Sequence, residues 1–251
     1  MLTKRRQALA LKTCLLAGRL LIENGSNMER VNDTLSRMAQ SAGLHDFQAF
    51  TTMTGIVVGT INDPHAQVIT IRHRKNNLSK IAEVNEVSRE LARRKIDVPQ
   101  AFAKLKKIDR QKMPNWQNWY ESFAAAILSG ALMIVFTGDV SDSWAGFLAG
   151  GIGYAAFSYL LRKFKIQYLG EFYSSLIIGI LAVIFVKMHL ANNIDDIIIG
   201  AVMPLVPGVP LTNAARDLVS GNLISGPTRG IEAILTAVSI GSAIVIVLHF
   251  N

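Results

Sequence analysis

The chain carries a single cysteine, Cys14, so an internal disulfide is excluded. Cys14 lies among Leu11, Leu15 and Leu16, where a buried structural thiol is expected. The five histidines (His45, His65, His73, His189, His249) show no metal-ligand spacing, so no metal is expected. There is no Walker-type phosphate loop and no G-x-S-x-G elbow. Those absences remove the usual signs of ATP use and of a serine hydrolase, and no other cofactor is indicated. Prolines number seven, and three of them fall between Pro204 and Pro210. Basic charge is scarce in the second half: residues 114–251 hold 6 Lys and Arg against 8 Asp and Glu.

The first half is the reverse. Residues 1–113 hold 20 Lys and Arg against 10 Asp and Glu. A basic half fits nucleic acid or anionic lipid. Beside an apolar half, retention of positive charge in the cytoplasm is the simpler reading, with membrane lipid and no nucleic acid as partner. Lys4-Arg5-Arg6 before an apolar stretch mimics a signal peptide. Lys12 and Arg19 interrupt that stretch, which reads instead as an amphipathic helix over 7–23. Gly25 ends it, and Ser26 with Glu29 has the capping-box spacing for a second helix carrying Met28, Val31, Leu35 and Met38 on one face. Residues 47–61 suggest two short strands, Asn62 to His65 a turn, and Val68 to Ile71 another strand. Helices are expected from about Leu78 and over Gln100 to Ile108. Residues 1–113 are therefore expected to form a small α+β cytoplasmic domain.

Residues 114–251 are expected to form an all-α bundle of five transmembrane helices, spanning about 120–137, 144–161, 171–188, 194–210 and 229–250. Gly146-x-x-x-Gly150 in the second gives small residues for close helix approach. Arg162, Lys163, Lys165, Arg216 and Arg229 fall in alternate loops, which places the N-terminus in the cytoplasm and the C-terminus outside the plasma membrane. The fourth apolar segment runs into Pro204, Pro207, Gly208 and Pro210, followed by Thr212, Asn213, Arg216 and Asp217. A regular helix cannot pass all three prolines, and glycine admits backbone angles that other residues avoid. Transporters build substrate sites from such breaks. The alternative is a helix ending at Ala201 or Val202, followed by an irregular cytoplasmic loop, outside the membrane, that holds Arg216 and Asp217 as an exposed pair.

Under the site reading, the prolines leave carbonyls unpaired, Thr212 and Asn213 orient a small polar ligand, and Arg216 pairs with a substrate carboxylate. Asp217 and Glu232 are the candidate proton carriers, with Arg229 and Asp139 in gating or support. Half of a two-repeat transporter would need its other half from a partner chain or a second copy of this one. A membrane-anchored hydrolase or an assembly scaffold is the competing reading; it has no nucleophile–base motif to support it.

Several motifs together resemble the threonine/serine exporter family across nearly the whole chain. They are G-S-x-M-x-R-V (Gly25 to Val31), T-x-T-G-I (Thr52 to Ile56), R-x-x-x-x-N-L (Arg72 to Leu78) and Asn85 with Ser88. The long core from Met203 to Leu218 follows, then Gly221, Gly226, Arg229 and Glu232. Met53 stands where the family pattern has proline. The resemblance implies amino-acid export driven by the proton gradient. With five spans the chain resembles the large subunit of the split type, in which a small membrane subunit supplies the remaining spans. Split relatives are associated with dicarboxylates as well as with threonine and serine.

Overall fold

Hydrophobic periodicity fixes most of the elements, and a computed structural model describes residues 4–61, 63–111, 117–138, 140–164 and 166–251. The chain divides into two compact units. The first comprises Met1–Lys112 and Leu211–Gly230, the second Met113–Pro210 and Ile231–Asn251.

The first unit opens with helix α1 (Lys4–Glu23) and helix α2 (Met28–Ser41). Strands β1 (Phe47–Thr51), β2 (Gly55–Thr60) and β3 (Asp63–Thr70) form an antiparallel sheet in the order β1-β2-β3. Phe47 pairs with Thr60 and Gly55 with Thr70, with an irregularity between Val58 and Thr60. Helices α3 (Leu78–Ala92) and α4 (Val98–Arg110) follow. Leu20, Leu21, Ile22, Met28, Leu35, Met38, Ile56 and Leu105 form the centre of the core. Cys14 belongs to the same core.

Two local expectations need correction. The N-cap of α2 is Asn27, whose side chain accepts from the Arg30 amide, one residue beyond the Ser26 position. The turn expected at Asn62 to His65 is shorter: Asp63 already belongs to β3, and Asn62 lies outside the described residues.

The second unit is helical. Helices α5 (Gln117–Thr137), α6 (Ser143–Phe164) and α7 (Gln167–Lys187) are long and apolar enough to cross a membrane, as is α10 (Ser225–His249), which runs through both units. Their large apolar side chains, such as Phe123, Val135, Ile180 and Val245, are mostly outward and exposed, which suits lipid. The fourth apolar stretch is broken into α8 (Ile194–Val202), a single 3-10 turn (Met203–Leu205) and α9 (Gly208–Val219). The axis turns by 59° across the break, so the broken pair would make a fifth span if it counts as one.

Small residues bring the second unit's helices together. A Cβ at Gly146 would stand 2.8 Å from Met133 Sδ, one at Gly150 2.0 Å from Ser129 Oγ, and one at Gly153 2.4 Å from Ile178 Cγ1. A Cβ at Gly200 of α8 would stand 2.7 Å from the Cβ of Met133. Glycine is therefore needed along α6 and α8 for contact rather than for backbone freedom.

Candidate functional site

In the first unit, the α1–α2 turn is held on two sides. Gly25 takes φ +90°, a left-handed conformation that suits glycine. The Lys75 and Asn77 amides donate to the carbonyls of Glu23 and Asn24. Burial raises the Glu23 carboxyl above the usual range, and the Arg19 charge offsets this in part.

From α9 and the start of α10, three side chains reach the same turn. Asn213 donates through Nδ2 to the Gly25 carbonyl at 3.1 Å. Asp217 accepts at Oδ1 from the Met28 amide at 2.8 Å, satisfying a free N–H in the first turn of α2. Arg229 donates through Nη2 to the Ser26 carbonyl. Its Nε stands 3.0 Å from Asp217 Oδ2, an ion pair by distance whose N–H is not aimed at the oxygen. Asp217 is 0% exposed and Arg229 4%. At the rim, Ser220 donates to Glu29 Oε2.

The turn between α1 and α2 is thus clamped by a buried ion pair and an amide carried on distant sequence. The Asp217 carboxylate accepts a backbone hydrogen bond on one oxygen and faces the Arg229 guanidinium with the other.

The remaining predicted site residues are distributed differently. Thr212 and Arg216 lie on the exposed side of α9, not in a loop. Thus Arg216 and Asp217 do not form an exposed pair, because Asp217 faces inward to Arg229.

Within the second unit, Pro204 occupies the 3-10 turn, Pro207 lies buried at the break, and Pro210 falls in the first turn of α9, where its missing N–H costs little. Gly208 is not at positive φ, and nothing lies within 4 Å of where its Cβ would be. It begins α9 rather than supplying an unusual backbone angle. Glu232 is half-buried on α10. Asp139 lies outside the described residues. Its neighbour Asp142 is buried and accepts at Oδ2 from the Asn192 amide at 2.6 Å and the Asn193 amide at 3.2 Å, joining the loops before α6 and α8. Among the described residues, no group of three or more His, Cys, Asp or Glu has metal-binding geometry.

Sequence reasoning missed Glu171. It sits inside α7, one turn from its start, and is only 4% exposed. An acid at the edge of an apolar run was the available signal.

Residues 12–251 match the family described as "Putative threonine/serine exporter". Two curated relatives are similar along their length. "Probable succinate transporter subunit YjjP" of Escherichia coli K12 is 22% identical over 94% of this chain and 92% of its own. The protein of the same name in Klebsiella aerogenes is 20% identical over 93% of this chain and 91% of its own. No solved structure matches. The expected resemblance therefore holds: the chain belongs to the threonine/serine exporter family, whose members are transporters and not enzymes, and with its apolar helices it is a multi-pass membrane protein.

Proposed function

We propose that the chain is one subunit of a secondary exporter, moving small amino acids of the threonine/serine kind or small dicarboxylates out of the cell on the proton gradient. The observation that carries this reading is the family match running through the whole broken segment from α8 to α9. Breaks of this kind expose helix ends and unpaired carbonyls to a polar ligand. Both relatives carry the name of a succinate transporter subunit, which keeps a dicarboxylate beside threonine and serine. The word subunit supports a partner: a small membrane protein supplying the remaining spans, with a second copy of this chain as the alternative. The chain alone then does not transport.

The proposed arrangement in the plasma membrane has the basic domain of residues 1–113 in the cytoplasm, the helical domain of 114–251 in the membrane, and the C-terminus outside. The distribution of Lys and Arg supports it. Pro204, Pro207, Gly208, Pro210, Thr212 and Asn213 are proposed to line the substrate's route, and the exposed Arg216 to pair with its carboxylate. Asp217 and Glu232 are the proposed coupling acids, with Arg229 and Asp139 in support. For Asp217, coupling would take the form of a latch: a proton on its carboxyl weakens the pair with Arg229 and frees the α1–α2 turn.

Cells lacking this chain should accumulate threonine, serine or succinate when loaded with the corresponding peptides or carbon source, and reintroducing the chain should reverse it. Unchanged internal levels of all three would refute the reading.

A further inference from the structure

Helix α4 sorts its residues by face. Ala101, Leu105 and Ile108 are buried in the core of the first unit. Ala103, Lys104, Lys106, Lys107 and Arg110 are all exposed. Of these, Ala103, Lys106, Lys107 and Arg110 fall at i, i+3, i+4 and i+7, one stripe along the helix. With Gln111 they line a shallow hollow of about 370 Å³, and no acid lines it. The lining is mostly apolar, as the stems of Lys and Arg provide, with the charges at their tips.

The cations of this stripe are not spent on neighbours. Residues 104–112 hold five Lys and Arg against one Asp. That acid, Asp109, pairs with Arg19 of α1 at 2.6 Å, and Lys104 pairs with Glu90 of α3 at 2.5 Å. Glu83 accepts from Gln111. Among the described residues, Lys106, Lys107 and Arg110 have no ion-pair partner. The helix dipole accounts for Lys107 and Arg110 in the last turn, where cations face the carbonyl ends. It does not account for Lys106, or for Lys112 beyond the helix.

Chain connectivity limits how far this stripe can stand from a bilayer. Helix α4 ends at Arg110, and α5, apolar enough to cross a membrane, begins at Gln117. The six residues between them span at most about 25 Å when fully extended. Trp119, in the first turn of α5, is exposed, and an indole there suits the headgroup level. An anionic bilayer surface favours each Lys or Arg brought to it by about fivefold in partitioning. No aromatic side chain lines the hollow, so a nucleobase has nothing to stack on. Apolar stems with cationic tips fit an amphipathic anion instead.

We propose that Lys106, Lys107 and Arg110 form a docking face for the phosphate headgroups of anionic phospholipid, at the surface of the membrane that α5 enters. The two ammonium groups and the guanidinium donate to phosphate oxygens. The leaflet they touch rests on the proposed cytoplasmic placement of residues 1–113; the docking itself does not.

The test uses the full chain in nanodiscs. Ala103→Cys in a Cys14→Ser background carries a fluorophore at the hollow, and the discs carry a nitroxide quencher linked to a lipid headgroup. One set contains phosphatidylglycerol with phosphatidylcholine, the other phosphatidylcholine alone. The ratio of quenched to free label, read from lifetimes, should be high with phosphatidylglycerol and fall in raised salt. It should drop about fivefold for each of Lys106→Gln, Lys107→Gln and Arg110→Gln, and roughly 100-fold for the three together. These side chains are exposed and outside any ion pair, so the variants should fold. Arg93→Gln/Arg94→Gln/Lys95→Gln removes the same charge before the other end of α4 and should leave the ratio unchanged. Equal ratios in the two lipids, or a wild-type ratio in the triple variant of α4, would overturn the proposal. So would an equal loss in the triple variant at 93–95, which would show net charge acting alone. Abolition of quenching by inorganic phosphate at unchanged ionic strength would also overturn it, by showing a site for free anions. Both leaflets of the discs carry the same lipid, so labelling at Asp63 on intact cells would sink the cytoplasmic placement and leave the docking face standing.

Discussion

Removing one charge of the Asp217–Arg229 pair should free the turn between α1 and α2. Both groups are buried, so each single variant leaves an unopposed charge without water. Breaking a buried pair in this way costs about 3–5 kcal/mol. In Asp217→Asn the amide oxygen can still accept from the Met28 amide, so the loss is chiefly electrostatic. In Arg229→Met the Asp217 charge is stranded, and the Ser26 carbonyl also loses its donor. The double variant strands nothing. Its cost should fall towards one lost hydrogen bond, about 0.5–1.5 kcal/mol. The readout is amide exchange of the segment 24–31 in the full chain, followed by mass spectrometry. At about 1.4 kcal/mol per factor of ten, each single variant should exchange faster by roughly 100-fold or more, and the double by about tenfold or less. Single variants that exchange like the wild type would refute the latch. A double variant as costly as the two singles together would also refute it, because the residues would then act independently.

Three further outcomes follow from the same structure. Gly25→Ala should loosen the same segment, since left-handed φ costs a non-glycine residue about 1–2 kcal/mol and the new Cβ would stand 2.4 Å from Asn76 Oδ1; exchange at the wild-type rate would contradict this. Cys14 should stay unmodified by an aqueous maleimide at pH 8 in the folded protein and react on denaturation, because burial pushes its thiol up to about 12 and hides it; rapid labelling of the native protein would contradict both reasons. In a Cys14→Ser background, single cysteines at Ser141 and Asn251 should react with an impermeant thiol reagent on whole cells, and one at Asp63 only after lysis; labelling at Asp63 on intact cells would overturn the proposed orientation.

Much of the fold was readable because hydrophobic spacing decides it. The stripe Met28, Val31, Leu35, Met38 is the buried face of α2, and the apolar runs became α5, α6, α7 and α10 with ends displaced by a few residues. The triple proline foretold a break, and the chain does break there, because Pro204 and Pro207 remove donors that a continuous helix needs. The N-cap was misplaced by one residue because Ser26 and Asn27 are both good caps and only the local backbone decides between them. The site was less readable. Met28 and Asp217 are separated by 189 positions, and no local pattern announces that a carboxylate on α9 will cap α2. Asp217 and Arg229 were singled out as charges in an apolar region, but their mutual pairing is a property of the packed unit. Glu171 escaped notice because it stands where an apolar run begins, and α7 in fact starts a turn earlier.

The central claim, that this chain is part of a proton-driven exporter, is tested most directly with inverted membrane vesicles. Vesicles from the native host and from a strain lacking only this chain would be given an imposed pH gradient and radiolabelled threonine, serine or succinate. The account predicts accumulation of at least one of these in native vesicles, its abolition by a protonophore, and its absence from the deletion strain until the chain is restored. Equal accumulation of all three in both kinds of vesicle, with and without the gradient, would contradict it.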